Sequence, residues 1–417
     1  MSINRHRFAE AGLWLSLVIA PCAVGCGDGE TPEPQAGEDA GVDAEAPGAS
    51  SFFDACEPGE MPDEACYLEK RDPGSGRVSL GLEIARRYMD EHPADDRQEM
   101  NWNWAEGVLM MSLVELYRVT GDTSLRDYYR TWIDAHIETG YSIAWSDSCP
   151  PAVTALALYR ESGEEKYRKV IDDVMAYLED ESLPTEEGAF PHLGKQTDTV
   201  WVDSLFMFGI ILTQWGEYLD DTAPLDTLGE QFRIFGDLLQ DAAGLFRHTH
   251  AWPLSTETDI YWARGNGWAI AAGYEYLRAR RLRGEVDPEV AAMMDEQVGA
   301  LLEAQDQASG LWWNILNRPG EIYLETSASA LFAYGMARGY RYGYLDEVVL
   351  PAVEKAMAGI ESKVIRDNAG RPLVADISGR TTAGDYDNYE AIPLEQDMDF
   401  GVGAVILALI ENSGLVD

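Results

Sequence analysis

Apolar positions recur with helical spacing ahead of a short motif that the chain repeats. The segment LYRVTGD at 116–122 returns as LYRESGE at 158–164, 42 residues later. In each copy the glycine can form a left-handed C-cap, and a new amphipathic helix follows it. Weaker copies end near Gly284 and Gly343. A period in this range predicts stacked helical hairpins.

Helical hairpins can build either an open solenoid or a closed ring of inner and outer helices. Three long connections, at 147–151, 189–195 and 248–253, concentrate His, Trp, Asp and Pro. Loops around one mouth of a barrel would have this composition, whereas a solenoid would spread its loops along a groove. We therefore predict an all-α (α/α)6 toroid, a six-hairpin barrel, with its functional site where these loops converge.

The first residues have the layout of a bacterial lipoprotein signal, with Arg5 and Arg7 before an apolar run at 13–20. This run is too short to span a bilayer, so a retained transmembrane helix is the weaker interpretation. Residues 1–26 are the predicted signal, ending at Cys26 as the lipidated residue. Cys22 is the alternative, because Ala23 stands where such signals usually have Leu.

Residues 27–66 are predicted to be an acidic tether, since they contain no Lys or Arg and cannot bury enough apolar surface to fold alone. Residues 67–417 contain no second linker and are predicted to form one catalytic domain. The lipid would hold this domain at the cell envelope, on the periplasmic or outer-membrane side, as its one membrane contact. The sequence does not predict the oligomeric state.

The formal net charge of −42 argues against nucleic acid as a partner. An acidic sugar would therefore have to be a short fragment held by local positive charge. Cys56 and Cys66 flank a loop in an exported chain, which makes a local disulfide plausible. Cys149 has no His near it in sequence and is interpreted as a buried structural thiol.

Asp203 stands in an apolar and aromatic segment, VWVDSLFM at 200–207. Burial disfavours a charged carboxylate, so the segment predicts a raised pKa for Asp203 and a protonated side chain that could act as a general acid. The alternatives are that Asp203 caps a helix or pairs with a buried Arg.

Seven motifs in order resemble those of glycoside hydrolase families 88 and 105 and cover nearly all of the chain after the tether. They are WAEG at 104–107, SDS at 146–148, WVDSLFM at 201–207, HAW at 250–252, WARGNGW at 262–268, GLW at 310–312 and LETSASA at 324–330. The resemblance implies an (α/α)6 barrel that removes a terminal 4,5-unsaturated uronic acid from oligosaccharides produced by polysaccharide lyases, without a cofactor.

By this resemblance Asp203 is the catalytic acid/base and Asp147 the second catalytic carboxylate. Ser146 and Ser148 flank Asp147, so its setting is expected to be polar and its side chain ionised. The resemblance also assigns substrate contacts to Trp104, His192, His250, Trp262, Arg264, Trp268 and Tyr386.

Several of these assignments have structural alternatives. Asp147 could cap the helix that starts near Pro150, Arg264 could pair with a buried acid, and Tyr386 could belong to a surface turn. His192, His248 and His250 invite a metal site, but no Cys or Glu lies at ligand spacing, so no metal is predicted. His248 is interpreted as an exposed residue.

The chain departs from the family pattern at Leu193 and Pro253, where a basic and an acidic residue are usual, and this affects the predicted outer subsites. Two other functions stay open. One is an (α/α)6 inverting glycosidase acting on a saturated sugar, with carboxyls about 6.5–9.5 Å apart. The other is a sugar-binding lipoprotein without catalytic activity.

Overall fold

The computed structural model describes residues 71–194, 198–219 and 221–415. The predicted signal with Cys26, the tether, and Cys56 and Cys66 lie outside the described residues. No helix in the described part of the chain is long and apolar enough to cross a membrane.

Six helices form an inner ring: α2 (Trp104–Thr120), α4 (Pro151–Ser162), α7 (Gly209–Leu219), α9 (Ala263–Leu282), α11 (Thr326–Arg341) and α14 (Asp399–Glu411). Each packs against the next in this order, and α14 packs against α2, which closes the ring. Six helices form the outer layer: α1 (Gly76–Glu91), α3 (Thr123–Thr139), α5 (Glu165–Ala176), α8 (Ala223–Leu239), α10 (Pro288–Ala304) and α12 (Leu350–Ser362). The predicted (α/α)6 toroid is confirmed.

The inner and outer helices differ in how their apolar residues are distributed. The inner helix α14 has the sequence DFGVGAVILALIE, and every residue from Phe400 to Glu411 is buried. The outer helix α1 buries Val78, Gly81, Ile84, Ala85 and Tyr88, which lie three or four residues apart on one face. A helix that is apolar all round belongs in the interior, and one with a single apolar stripe belongs on the outside.

The repeated glycines end helices as predicted. Gly121 and Gly163 follow α2 and α4 with φ angles of 67° and 68°, and each donates its N–H to the tyrosine carbonyl four residues earlier. Gly284 and Gly343, after α9 and α11, have φ angles of 72° and 68°. Glycine adopts this left-handed conformation without the steric cost that a Cβ brings.

The inner helices all run in the same direction. At their C-terminal ends Arg338 on α11 pairs with Glu275 on α9 and with Glu411 on α14. At their N-terminal ends the ring of Trp104, the first residue of α2, lies 4.8 Å from Phe400 on α14 and 6.0 Å from Trp268 on α9. The residues that precede the six inner helices therefore meet at one mouth of the barrel.

Short elements lie in the connections between these helices. They are four antiparallel strand pairs, β1 (Val200–Trp201) with β2 (Thr249–His250), β3 (Trp312–Trp313) with β4 (Leu324–Glu325), β5 (Val364–Arg366) with β6 (Pro372–Val374), and β7 (Ile377–Ser378) with β8 (Leu394–Glu395), together with the short helices α6 (Ser204–Met207) and α13 (Tyr386–Glu390). A 3-10 turn at Ser146–Ser148 precedes α4.

Candidate active site

Asp147 and Asp203 both lie at the mouth, each just before a helix. Asp147 is in the 3-10 turn ahead of α4, and Asp203 connects β1 to α6. The N-cap residue of α4 is Pro150, and Asp203 makes no capping hydrogen bond to α6. The two helix-capping alternatives are therefore wrong. Asp203 also pairs with a histidine and not with a buried Arg.

His248 is the partner of Asp203. Its Nε2 lies 3.2 Å from Oδ2 of Asp203, and its Nδ1 lies 2.8 Å from the hydroxyl of Tyr389. Burial raises the pKa of Asp203, but His248 and His192 lower it by more, so the pKa ends below its ordinary value. Asp203 is therefore ionised at neutral pH, and the prediction of a protonated Asp203 is wrong.

Asp147 has the opposite charge state. Burial and the nearby negative charge of Asp203 raise the pKa of Asp147 to about 8, against a smaller opposing effect of Arg380. The expected polar setting of Asp147 is also wrong, because the flanking serines bond elsewhere. Ser146 Oγ lies 2.8 Å from His192 Nδ1, and Ser148 Oγ donates to the carbonyl of Trp145. With the pKa of Asp147 raised and that of Asp203 lowered, the coupled pair holds one proton at neutral pH.

His192 lies beside the pair, as the sequence predicted. Its Nε2 is 3.6 Å from Asp147 Oδ1, and its Nδ1 is within 2.9 Å of the hydroxyls of Ser146 and Ser204. Its ring stacks on Trp201 with centroids 4.6 Å apart. Burial lowers the pKa of His192 to about 4, so the ring is neutral at neutral pH. It can therefore accept or donate a hydrogen bond without adding charge.

The sequence interpretation did not identify the histidine of the HTH segment at 248–250 that pairs with Asp203. His248, interpreted as exposed, is 2% exposed and contacts Asp203. His250 is half-buried, and its backbone pairs with Val200, so its predicted contact with the sugar stays a prediction. Val202 donates its N–H to the His248 carbonyl, so the pairing of β1 with β2 brings His248 to Asp203.

Arg264 is fully buried, and its guanidinium bonds to the protein. It donates to the carbonyls of Ser378 and Gly379 at 2.7 and 2.8 Å and to Thr381 Oγ1 at 3.0 Å, and it lies 4.0 Å from Glu325. The predicted substrate contact of Arg264 is therefore wrong, and the alternative of a buried ion pair is confirmed. Its role is to hold the segment after β7 at the mouth.

The predicted aromatic residues occupy different depths. Trp104 is half-buried at the mouth. Trp262 is 2% exposed, with its ring centroid 4.3 Å from that of His248. Trp268 is fully buried against Trp104 and Phe206, so its predicted direct stacking on a sugar is wrong, and it forms the floor beneath Trp104.

Tyr386 is half-buried near Arg318, and its helix α13 brings Tyr389 to His248. The segment that carries Tyr386 therefore reaches the site, but the residue that contacts His248 is Tyr389. Tyr389 is fully buried against Ile260, Trp262 and Ile315, which explains why its surroundings could not be identified from the surface-turn composition DYDNYE.

Buried polar atoms without hydrogen-bond partners gather around the pair. They are Glu106 Oε2, Trp201 Nε1, Asp203 Oδ2, His248 Nε2, Trp262 Nε1 and Trp268 Nε1. The Asp203 and His248 atoms are at ion-pair distance, but their directions do not meet the geometry of a hydrogen bond. Because buried polar groups are normally satisfied, such a cluster is typical of a site that binds a polar ligand.

Three further residues at the mouth were not identified from the sequence. Glu106 is buried, and burial and the charge of Asp399 raise its pKa to about 7. Arg380 lies 4.0 Å from Glu106 and 3.8 Å from Asp399. Trp145, which precedes the turn that carries Asp147, is 44% exposed. Glu106 lies in the WAEG motif, so it carried a signal, whereas nothing in the sequence distinguishes Arg380 from other arginines.

Cys149 is free, fully buried and has a raised pKa because of burial, as expected for a structural thiol. Within the described residues no group of three or more His, Cys, Asp and Glu side chains is arranged to hold a metal ion.

Comparison with known proteins gives consistent results. An unsaturated rhamnogalacturonyl hydrolase, YesR of Bacillus subtilis, is 25% identical over 324 residues, which cover 76% of this chain and 90% of that protein. A glycoside hydrolase of family 105 from C. acetobutylicum is structurally similar, with a TM-score of 0.72, 22% identity and coverage of 80% of this chain and 98% of that chain. The unsaturated glucuronyl hydrolase of Bacillus sp. GL1 has a TM-score of 0.63, 17% identity and coverage of 80% and 95%.

The model of Glycosyl Hydrolase Family 88 matches residues 82–415, which include every inner helix and both carboxylates at the mouth. The chain therefore belongs to Glycosyl Hydrolase Family 88.

Proposed function

We propose that the protein removes a terminal 4,5-unsaturated uronic acid from oligosaccharides that polysaccharide lyases release. The observation that carries the proposal is the Asp147–Asp203 pair, in which burial and mutual repulsion raise the pKa of one carboxyl while histidines lower the pKa of the other. Membership of the family and similarity to relatives named as unsaturated rhamnogalacturonyl and glucuronyl hydrolases support the substrate class.

The reaction begins as hydration of a vinyl ether. A carboxylic acid protonates C4 of the double bond, and a water adds at C5 after losing its proton to a carboxylate. The resulting hemiketal opens at the ring oxygen to a ketone at C5 and a hemiacetal at C1, and the hemiacetal collapses to an aldehyde and releases the leaving sugar with its own hydroxyl group. The reaction requires one acid and one base together, and a pair with a single proton supplies both at neutral pH.

The two carboxyls titrate as a coupled pair, so their proton belongs to the pair before it belongs to either residue. The family motif assigns proton donation to Asp203, while burial and the charge of Asp203 raise the pKa of Asp147 in the free protein. We propose that His248 and Tyr389 orient Asp203, and that neutral His192 hydrogen-bonds the substrate or the water between the carboxyls. Trp104 offers the sugar an apolar face at the mouth.

The assay is the loss of the ultraviolet absorbance of the conjugated enol-uronate from an unsaturated disaccharide. Asp147→Asn and Asp203→Asn should each lower kcat/KM by about 10²-fold or more, because each removes a group that handles a proton in the transition state. Asp237→Asn is the matched control, since Asp237 is exposed on the outer helix α8.

Near-normal turnover by either site variant would contradict the assignment of the pair. Release of a saturated terminal sugar, without loss of absorbance from unsaturated substrates, would indicate an ordinary inverting glycosidase. Binding of both kinds of oligosaccharide with turnover of neither would indicate a sugar-binding protein.

A further inference from the structure

Arg380 lies in a segment that is fixed on both sides of it. Before it, the guanidinium of Arg264 holds the carbonyls of Ser378 and Gly379. After it, Asn388 Nδ2 donates to the Thr382 carbonyl, and Trp252 Nε1 donates to the Ala383 carbonyl at 3.0 Å. The buried Arg264 therefore positions the backbone from which Arg380 extends.

The guanidinium of Arg380 faces the mouth without short hydrogen bonds. Its nearest carboxylate oxygens belong to Asp399 at 3.8 Å and Glu106 at 4.0 Å, and its Cζ lies 5.8 Å from the centre of the Trp104 ring. These distances exceed those of a charge-assisted hydrogen bond, about 2.7–2.9 Å. The side chain is 46% exposed, so its donors can reach a ligand.

The charges around Arg380 explain why an acidic substrate would need it. Asp147, Asp203, Glu106 and Asp399 give the mouth a carboxylate-rich lining. Arg380 is the cation whose charge reaches Asp147, and it acts on Glu106 as well. Arg264 also lies at the mouth, but it is fully buried and bonded to the segment after β7.

We propose that Arg380 binds the carboxylate of the terminal sugar and makes the site selective for a free uronic acid over a neutral ester. This inference rests on the proposed function and adds the residue that recognises the acid group. A guanidinium can bind a carboxylate through two parallel hydrogen bonds, which fixes the plane of the acid as well as its position. Trp104, beneath Arg380, would then lie against the sugar ring.

The test compares an unsaturated disaccharide that has a free carboxylate on its terminal ring with the methyl ester of the same compound. Arg380→Met should lower kcat/KM for the acid by about 10-fold or more, mainly through KM, because hydrogen bonds to charged groups contribute this much. It should change kcat/KM for the ester by less than about twofold, and Arg380→Lys should keep part of the preference for the acid.

Arg318→Met is the matched control. Arg318 also lies near two carboxylates, those of Glu257 at 3.6 Å and Asp259 at 3.3 Å, and near the ring of Tyr386. Its removal should not alter the ratio of the two substrates. Equal losses on acid and ester in Arg380→Met would show that Arg380 acts only on the structure of the site and would overturn the proposal.

A binding measurement separates this inference from the proposed function. In an Asp147→Asn background, titration calorimetry with the acid disaccharide should give a Kd at least about 10-fold weaker when Arg380→Met is added. Binding that depends on Arg380 without any wild-type turnover would refute the proposed function and keep the acid-binding role. Wild-type turnover, with neither kcat/KM nor Kd depending on Arg380, would keep the proposed function and refute the acid-binding role of Arg380.

Discussion

Asp147 and Asp203 show how two identical side chains acquire different properties from their partners. Asp203 faces a histidine that compensates for burial, whereas Asp147 is buried close to a negative charge. Burial of both carboxylates in their charged form would be unfavourable, and one retained proton relieves the repulsion. The pair is therefore set up for proton transfer before any substrate binds.

The raised pKa of Asp147 predicts the pH dependence of the reaction. The fraction of protein whose carboxyl pair holds its proton falls as pH rises through about 8. Because kcat/KM reports on the free enzyme, kcat/KM should fall about tenfold per pH unit above that value. Initial rates between pH 6 and about 10 test this. A profile that stays flat throughout would show that the reaction does not use this proton.

Titration of Asp147 also changes the stability of the fold, so the experiment has to separate unfolding from a change in rate. A carboxyl whose folded-state pKa lies above its unfolded value favours folding at low pH, and this contribution is lost as pH rises through about 8. Circular dichroism at the highest pH, and recovery of the rate on return to pH 7, distinguish titration of the pair from unfolding.

At the residue scale, the sequence predicted which carboxylates matter but not their charge. The apolar neighbours of Asp203 along the chain suggested a protonated acid, yet His248, just before β2 and 45 positions later, pairs with Asp203 and reverses the effect. Likewise, Arg264 lies in a motif that resembles a sugar site, but the partners that bury it come from residues 378–381. Protonation and burial depend on such distant contacts.

At the scale of elements, the helical repeat and its glycine caps were predictable because they depend on local periodicity and backbone conformation. The two-residue strands were not, because each is held by one partner strand across a long connection. Their effect is nevertheless specific, since β1 and β2 bring Asp203 to His248.

The close contact between α9 and α11 makes a prediction at this scale. A Cβ added at Gly267 would lie 2.9 Å from Leu331 on α11, whereas one added at Gly299 on the exposed face of α10 would meet nothing within 4 Å. Gly267→Ala should therefore lower the free energy of unfolding by about 1–3 kcal/mol. Gly299→Ala should raise it by about 0.4–1 kcal/mol, because alanine restricts the unfolded chain.

Chemical denaturation of the two variants, followed by circular dichroism, measures both effects. The pair is matched in chemistry, since each change adds one methyl group within a helix. Equal effects of the two changes would mean that α9 and α11 can separate at no cost, against the packing described for the inner ring.

At the scale of the whole molecule, the six-hairpin ring followed from the repeat, and family membership from the ordered motifs. The N-terminal export signal stays a prediction. It makes Cys26 the attachment point of a lipid that would keep the catalytic domain at the cell envelope.

A fractionation experiment tests this prediction in a bacterial host that makes the full chain. The wild type should partition with membranes and into detergent, and Cys26→Ser should move the protein to the soluble fraction, because the lipid attachment is lost. Cys22→Ser is the matched control and should leave partitioning unchanged. Loss of membrane association in Cys22→Ser alone would assign the lipid to that cysteine instead.

The contact between α14 and α2 has a consequence for biogenesis. The helix that closes the ring is the last of the six inner helices along the chain, and its first residues, Asp399 and Phe400, reach the mouth beside Trp104. Until it inserts, a nascent chain exposes the apolar flanks of α2 and α11 and has no complete pocket. A chain truncated before this helix is therefore expected to aggregate through these flanks and to lack the part of the mouth that Asp399 and Phe400 form.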